Sequence, residues 1–160
     1  MSIEQDFRQE VQNYLNKLSG DIKPVLKQLI EYDYPEEVVS LEFEVFVDGF
    51  TQGFPMMTFF MDESNSEHFV YVDGQAQYPS PVDPDLLEID YVYPYELEEE
   101  YTSKDDELDS YSIATEELIK WFSRCWNEVG GESFKLKANV APHDDNNAYN
   151  LVEGKWQERY

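Results

Sequence analysis

Residues 39–49 read VSLEFEVFVDG. Val39, Leu41, Phe43, Val45 and Val47 alternate with Ser40, Glu42, Glu44 and Phe46. A period of two with carboxylates on one side predicts a strand with one buried face and one mostly wet face. Asp48-Gly49 closes it with a strong turn signal. Downstream, residues 54–61 (FPMMTFFM) predict a second, more continuously apolar strand. Asp62 to Glu67 is a polar turn, and residues 68–72 (HFVYV) predict a third strand that ends at Asp73-Gly74. Three strands with short links predict an antiparallel meander.

Helical spacing flanks this block. Phe7, Val11, Tyr14, Leu15 and Leu18 share one face of a predicted helix over 4–18, with Gly20 as its stop. Asp21 then caps a second helix that tolerates Pro24 in its first turn and buries Ile22, Val25, Leu26, Leu29 and Ile30. Ser112 caps a late helix over 113–129. Its stripe is Ala114, Leu118, Trp121, Phe122, Cys125 and Val129, widened by Ile119 and Trp126, and Gly130-Gly131 end it. Phe134, Leu136, Ala138 and Val140 alternate with Ser133, Lys135, Lys137 and Asn139, the clearest strand pattern in the chain. After a turn at 142–147, Tyr149, Leu151 and Trp156 predict one last short strand or a packed tail. The expectation is an α+β fold in one domain over 1–160. It has an antiparallel sheet of about four or five strands, with the N-terminal helices and the late aromatic helix packed on one face.

Composition narrows the function. The 160 residues hold 35 Asp+Glu against 11 Lys+Arg, a formal charge of −24. Direct binding to nucleic acid or to an anionic membrane needs the opposite sign. Hydrophobic residues at 41% and aromatics at 16% are too many for a disordered acidic tail. One cysteine excludes an intramolecular disulfide framework. Neither a long apolar run nor a basic leader is visible, so a cytoplasmic protein is expected.

The acids are unevenly placed. From Asp83 to Asp109 there are twelve Asp+Glu and one Lys, punctuated by Pro84 and Pro94. Tyr78, Tyr91, Tyr93, Tyr95, Tyr101 and Tyr111 are interleaved with them. The stretch 75–111 is expected to be a mobile insert in the domain, with 86–93 either a strand or a short helix. Tyrosine offers rigid contact area with a polar tip, and flanking carboxylates steer a basic partner. The expected partner-binding residues are therefore Tyr91, Tyr93, Tyr95, Glu98, Glu99, Glu100, Tyr101, Asp105 and Asp106. The competing reading is a solvated acidic loop whose tyrosines pack on its own sheet. A charge of −24 exceeds the about 2–8 charges that solubility asks of a small domain.

Catalytic patterns are sparse. There is no G-x-x-x-x-G-K-[ST], no G-x-G-x-x-G, no G-x-S-x-G and no EF-hand loop. His143-Asp144-Asp145 offers one nitrogen and two carboxylates in one turn, and Asp62, Glu63 and Glu67 lie near His68. Adjacent Asp residues rarely converge on one ion without further ligands. Cys125 lies on the apolar stripe of the late helix, where a free thiol is usually a small hydrophobe. No catalytic residue, metal or cofactor is expected. Two further readings stay open: a metal-dependent enzyme built on His143, Asp144 and Asp145, and a subunit of a larger complex that presents Phe46, Phe50 and Phe54. Aromatics on both sides of the patterns leave a homodimer open as well.

Several segments together carry a resemblance. They are the amphipathic N-terminal helix, the strand and turn 41–49 (LEFEVFVDG), the helix segment 118–126 (LIKWFSRCW) and the tail 153–156 (EGKW). In this layout the chain resembles the small acidic immunity proteins of bacterial toxin systems, of the YezG-like type. The resemblance implies a non-catalytic protein that binds a cognate toxin, often a basic nuclease, and blocks its active site. It spans most of the chain as a pattern, has no counterpart for the acidic stretch 75–111, and transfers no individual residue.

Overall fold

The computed structural model describes residues 2–159. Helix α1 (Ile3–Lys17) starts from a capping box, in which the Ser2 hydroxyl accepts from the Gln5 N–H and the Gln5 side chain accepts from the Ser2 N–H. It buries Phe7, Val11 and Leu15. Gly20 is not the stop. Leu18 keeps a right-handed conformation and α2 (Ser19–Glu31) begins at once, so Gly20 and Asp21 lie in its first turn and Pro24 lies inside the helix. The proline ring removes an N–H that would bond the carbonyl of Gly20, and Gly20 is exposed, so that carbonyl is not buried unpaired.

Five strands form the main sheet: β1 (Ser40–Val45), β2 (Met56–Met61), β5 (Lys137–Pro142), β6 (Asn147–Asn150) and β7 (Lys155–Glu158), in the order β2-β1-β5-β6-β7. Its fold class is the expected α+β, but the sheet is mixed. β1 runs parallel to β5, with Leu41 opposite Ala138 and Phe43 opposite Val140. The long crossover that such a pair requires is supplied by everything between β2 and β5. The meander continues past β2 only through the Glu67 bridge to Met61 and the His68 N–H bond to the Phe60 carbonyl. β3 (Val70–Val72) pairs only with β4 (Gln75–Gln77) in a separate hairpin, whose Asp73-Gly74 turn has φ of 51° and 82°. The expected last strand or tail is the β6–β7 hairpin.

Between the hairpins lie α3 (Tyr95–Lys104) and α4 (Ser110–Glu128). α4 starts earlier than the pattern predicts, because the Asp109 carboxylate, and not Ser112, accepts the capping bond, from the Ser112 N–H at 3.1 Å. It ends at Gly130, with φ 91°. Leu41, Phe43 and Val45 point from β1 into the core, where the Phe43 ring lies 4.9 Å from Phe122 and 5.8 Å from Trp126. Trp126 in turn lies against Gly131, where a Cβ would meet its indole. α1 and α2 pack on α4, with the Trp121 indole N–H donating to Ser19 Oγ at 2.9 Å. Glu117 is buried between Arg8 Nη1 at 2.9 Å and Gln12 Nε2 at 3.0 Å.

A candidate acidic and aromatic interface

The stretch 75–111 is tied to the body at several points. The Pro84 carbonyl accepts from the Thr58 N–H at 2.9 Å, along the outer edge of β2. Leu86 is buried, and it holds φ at 69°, a conformation that costs a leucine about 1–2 kcal/mol. Residues 86–93 form neither a strand nor a helix. Val92 N–H donates to the Phe50 carbonyl at 2.8 Å and Val92 is buried.

Tyr93 is the anchor. It is fully buried, stacked on Phe50 at 5.7 Å and edge-on to Phe7 at 6.0 Å. Its hydroxyl donates to Glu98 Oε1 at 2.7 Å, and Glu98 is itself only 8% exposed. Burial, then the bond to Glu98, push the Tyr93 phenol well above its ordinary range. Two of the nine expected contact residues, Tyr93 and Glu98, are therefore interior. The spacing hides this, because each sits in a buried pair, Val92-Tyr93 and Leu97-Glu98, that follows neither a period of two nor a helical stripe.

The other seven are arranged around that anchor. Pro94 is the N-cap of α3, and Glu96 and Glu98 fall in its first turn, where carboxylates offset the helix dipole. Leu97 is buried, which turns Glu99 and Glu100 outward to solvent. Tyr95 is 59% exposed and Tyr91 is also exposed. Tyr101 is half-buried, 5.5 Å from Phe7, with Lys104 Nζ 4.8 Å from its ring centroid. Asp105 is half-buried and Asp106 exposed. Lys104 reaches Glu100 at 3.9 Å, while Glu99, Asp105 and Asp106 have no ion pair among the described residues. Sequence reasoning missed α3 itself, although Pro94, an acidic first turn and a closing Lys104 are helix boundary signals.

The catalytic alternatives take different shapes. On the sheet face away from the helices, Glu42, Glu44, Phe59, Met61 and Asn139 line a cavity of about 290 Å³. Asn139 Nδ2 donates to Glu42 Oε1 at 3.0 Å, yet burial dominates and raises the Glu42 carboxyl. Burial would also raise Glu44, but bonds from Arg159 at 2.8 Å and His143 at 3.0 Å outweigh it and hold Glu44 low. His143 is raised in return, chiefly by that bond to Glu44. His143 Nε2 also lies 3.6 Å from Asp144 Oδ2, whereas the Asp145 carboxylate accepts from the Asn147 N–H at 2.9 Å. His68 lies 3.7 Å from Glu37. Among the described residues, no three His, Cys, Asp or Glu side chains converge as a metal ion requires. Cys125 is buried, and that burial raises its thiol, the opposite of what a nucleophile needs. Phe50 is core, and Phe46 and Phe54 are half-buried against His143 and Trp121, so the three do not form an open apolar patch.

No helix among the described residues is long and apolar enough to cross a membrane. Comparison with protein-family models, with curated proteins and with solved structures found no match.

Proposed function

We propose that this chain is a non-enzymatic acidic binding protein that works in the cytoplasm and engages a basic protein. The α3 surface and its flanks (Tyr91, Tyr95, Glu99, Glu100, Tyr101, Asp105 and Asp106) form the contact. One observation carries the proposal. Tyr95, Glu99, Glu100 and Tyr101 stand on a helix clamped to the core through Tyr93 and Leu97, and Tyr91, Asp105 and Asp106 flank its two ends, so the surface is presented without the ordering cost of a free loop. The carboxylates speed encounter with a cationic surface and the tyrosine rings supply contact area. A nuclease-type toxin is the partner class implied by the resemblance to bacterial immunity proteins, and the acids would then stand in its groove where nucleic-acid phosphates lie.

The test is capture from a bacterial lysate by the wild-type chain and by a variant carrying Glu99→Gln, Glu100→Gln, Asp105→Asn and Asp106→Asn. A basic protein retained only by the wild type and released by salt is the expected result. Equal retention by both chains, or retention that salt does not weaken, would sink the proposal. Glu98 is left unchanged because its carboxylate is an interior acceptor.

A further inference from the structure

The two edges of the sheet are finished differently. The outer edge of β2 is sealed: Thr58 N–H donates to the Pro84 carbonyl, the Phe60 carbonyl accepts from His68 N–H at 2.8 Å, and Met61 bridges Glu67. β7 is the other edge. Arg159 N–H donates to the Asn146 carbonyl, and across β6 Leu151 N–H donates to the Ala138 carbonyl, both at 2.8 Å. With the observed registers, these bonds make Lys155 and Gln157 the residues whose backbone groups face β6. Trp156 and Glu158 therefore turn their N–H and C=O outward, and no described residue takes them up. An open edge of this kind is a template for another strand.

A cleft of about 550 Å³ runs between this edge and α4. Trp156, 53% exposed, forms the strand side, and Ile119 and Tyr111 form the helix side. Thr115 also lines it, and its hydroxyl is buried with no hydrogen-bond partner. At the end near Pro142 the rim carries Asp109 and Asp145, neither of which has an ion pair among the described residues.

We propose that β7 and this cleft bind an extended basic and apolar segment of another protein by strand addition. The backbone of the segment pairs with Trp156 and Glu158. One apolar side chain enters the cleft beside Trp156 and Ile119. A Lys or Arg two residues along, on the same face of the added strand and about 7 Å away, meets Asp145 and Asp109. Charge selects this occupant over a second copy of the chain, which would bring its own −24 to the same edge. The surface uses none of the α3 carboxylates, so this proposal and the previous one stand or fall separately.

The probe is a fluorescein-labelled peptide, Lys-Thr-Val-Thr-Phe-Thr-Lys, blocked at its C-terminus and followed by anisotropy at physiological salt. Saturable binding is expected, with slowed hydrogen exchange at the Trp156 and Glu158 amides. Glu158→Pro, at an exposed edge position whose N–H points outward, should weaken binding about tenfold or more. Trp156→Ala should weaken it comparably. The α3 variant with four acids neutralised should bind the peptide within about twofold of wild type. N-methylation of alternate peptide amides tests the same backbone bonds with the protein unaltered and should abolish binding. The proposal is overturned if no saturable binding occurs, or if the N-methylated peptide or a scrambled peptide of equal composition binds as well. A doubled mass in sedimentation that Glu158→Pro abolishes would also overturn it, by giving the edge to a second copy.

Discussion

α4 and α3 are neighbours in the chain and opposites in construction. α4 has 19 residues and buries twelve of them, including Trp121, Phe122 and Trp126. α3 has ten residues and buries Leu97 and Glu98. α4 is held by its whole inner face, so no single polar contact decides its place. α3 is held largely by a side chain outside it, Tyr93, together with the one interior acid that Tyr93 reaches. A helix fixed in that way keeps its outer face free to vary, and that face carries the unpaired acids. Burial thus separates a helix that makes the fold from a helix that the fold displays.

Truncation inside α4 should have the largest effect. Trp126→Ala removes a buried indole that packs on Phe43 and Phe134, and should lower stability by about 3–5 kcal/mol in a urea titration. A loss below about 1 kcal/mol would show that α4 is not the keystone. Gly131→Ala tests the same ring from the other side. Its Cβ would meet the Trp126 indole, and a loss of about 1–3 kcal/mol is expected. Tyr93→Phe keeps the ring and removes the bond to Glu98, leaving a buried carboxyl without its partner. About 1–3 kcal/mol should be lost, and amide exchange across α3 should speed up more than across α4. If both helices accelerate equally, the Tyr93–Glu98 pair is not a local clamp.

Neutralising Glu99, Glu100, Asp105 and Asp106 should move stability by no more than about 0.5 kcal/mol, because their only side-chain pairings among the described residues are an exposed pair of Glu100 with Lys104 and a bond from the Glu107 N–H that an Asn at 105 also accepts. The smallest effect is in the titration of Glu116 on α4. The hydrogen bond from Lys120, at 3.0 Å, and the charge of Arg8 lower its carboxyl against a weaker burial effect. A lowered folded value adds stability above the ordinary carboxylate range, and that stability is lost as the pH falls through the folded value. In Lys120→Gln the side-chain carboxyl resonance of Glu116 should titrate at higher pH than in wild type. An unchanged titration would remove Lys120 as the cause.

Much of the frame was legible. The stripe from Ala114 to Cys125 and the alternation from Val39 to Val45 repeat at periods that only one element satisfies, and each is long enough to outweigh local exceptions. α3 was not, because one buried leucine makes no stripe and its anchor precedes it. The parallel pairing of β1 with β5 was also hidden, since turn signals such as Asp48-Gly49 report only on adjacent strands. Within the site, Tyr91 and Tyr95 lie outside and Tyr93 between them lies inside, although neighbouring sequence is much the same for all three. What separates them is Phe50 and Phe7, which arrive from distant parts of the chain. The open edge at β7 was invisible for a related reason. Whether a strand has a neighbour is a property of the assembled sheet.

The central pairing of β1 with β5 also sets the order in which the molecule can assemble. Glu42 and Asn139, joined across that pair, are 97 positions apart. The β1–β2 hairpin closes over a short loop, but its inner side has no strand to receive it until β5 arrives. Closing so long a loop is entropically costly, and topologies rich in such contacts fold slowly. Until then Leu41, Phe43 and Val45 have no β5 beside them, and a half-finished sheet of this composition is prone to pair with other chains. The formal charge of −24 on the same polypeptide makes unfinished molecules repel one another during that delay.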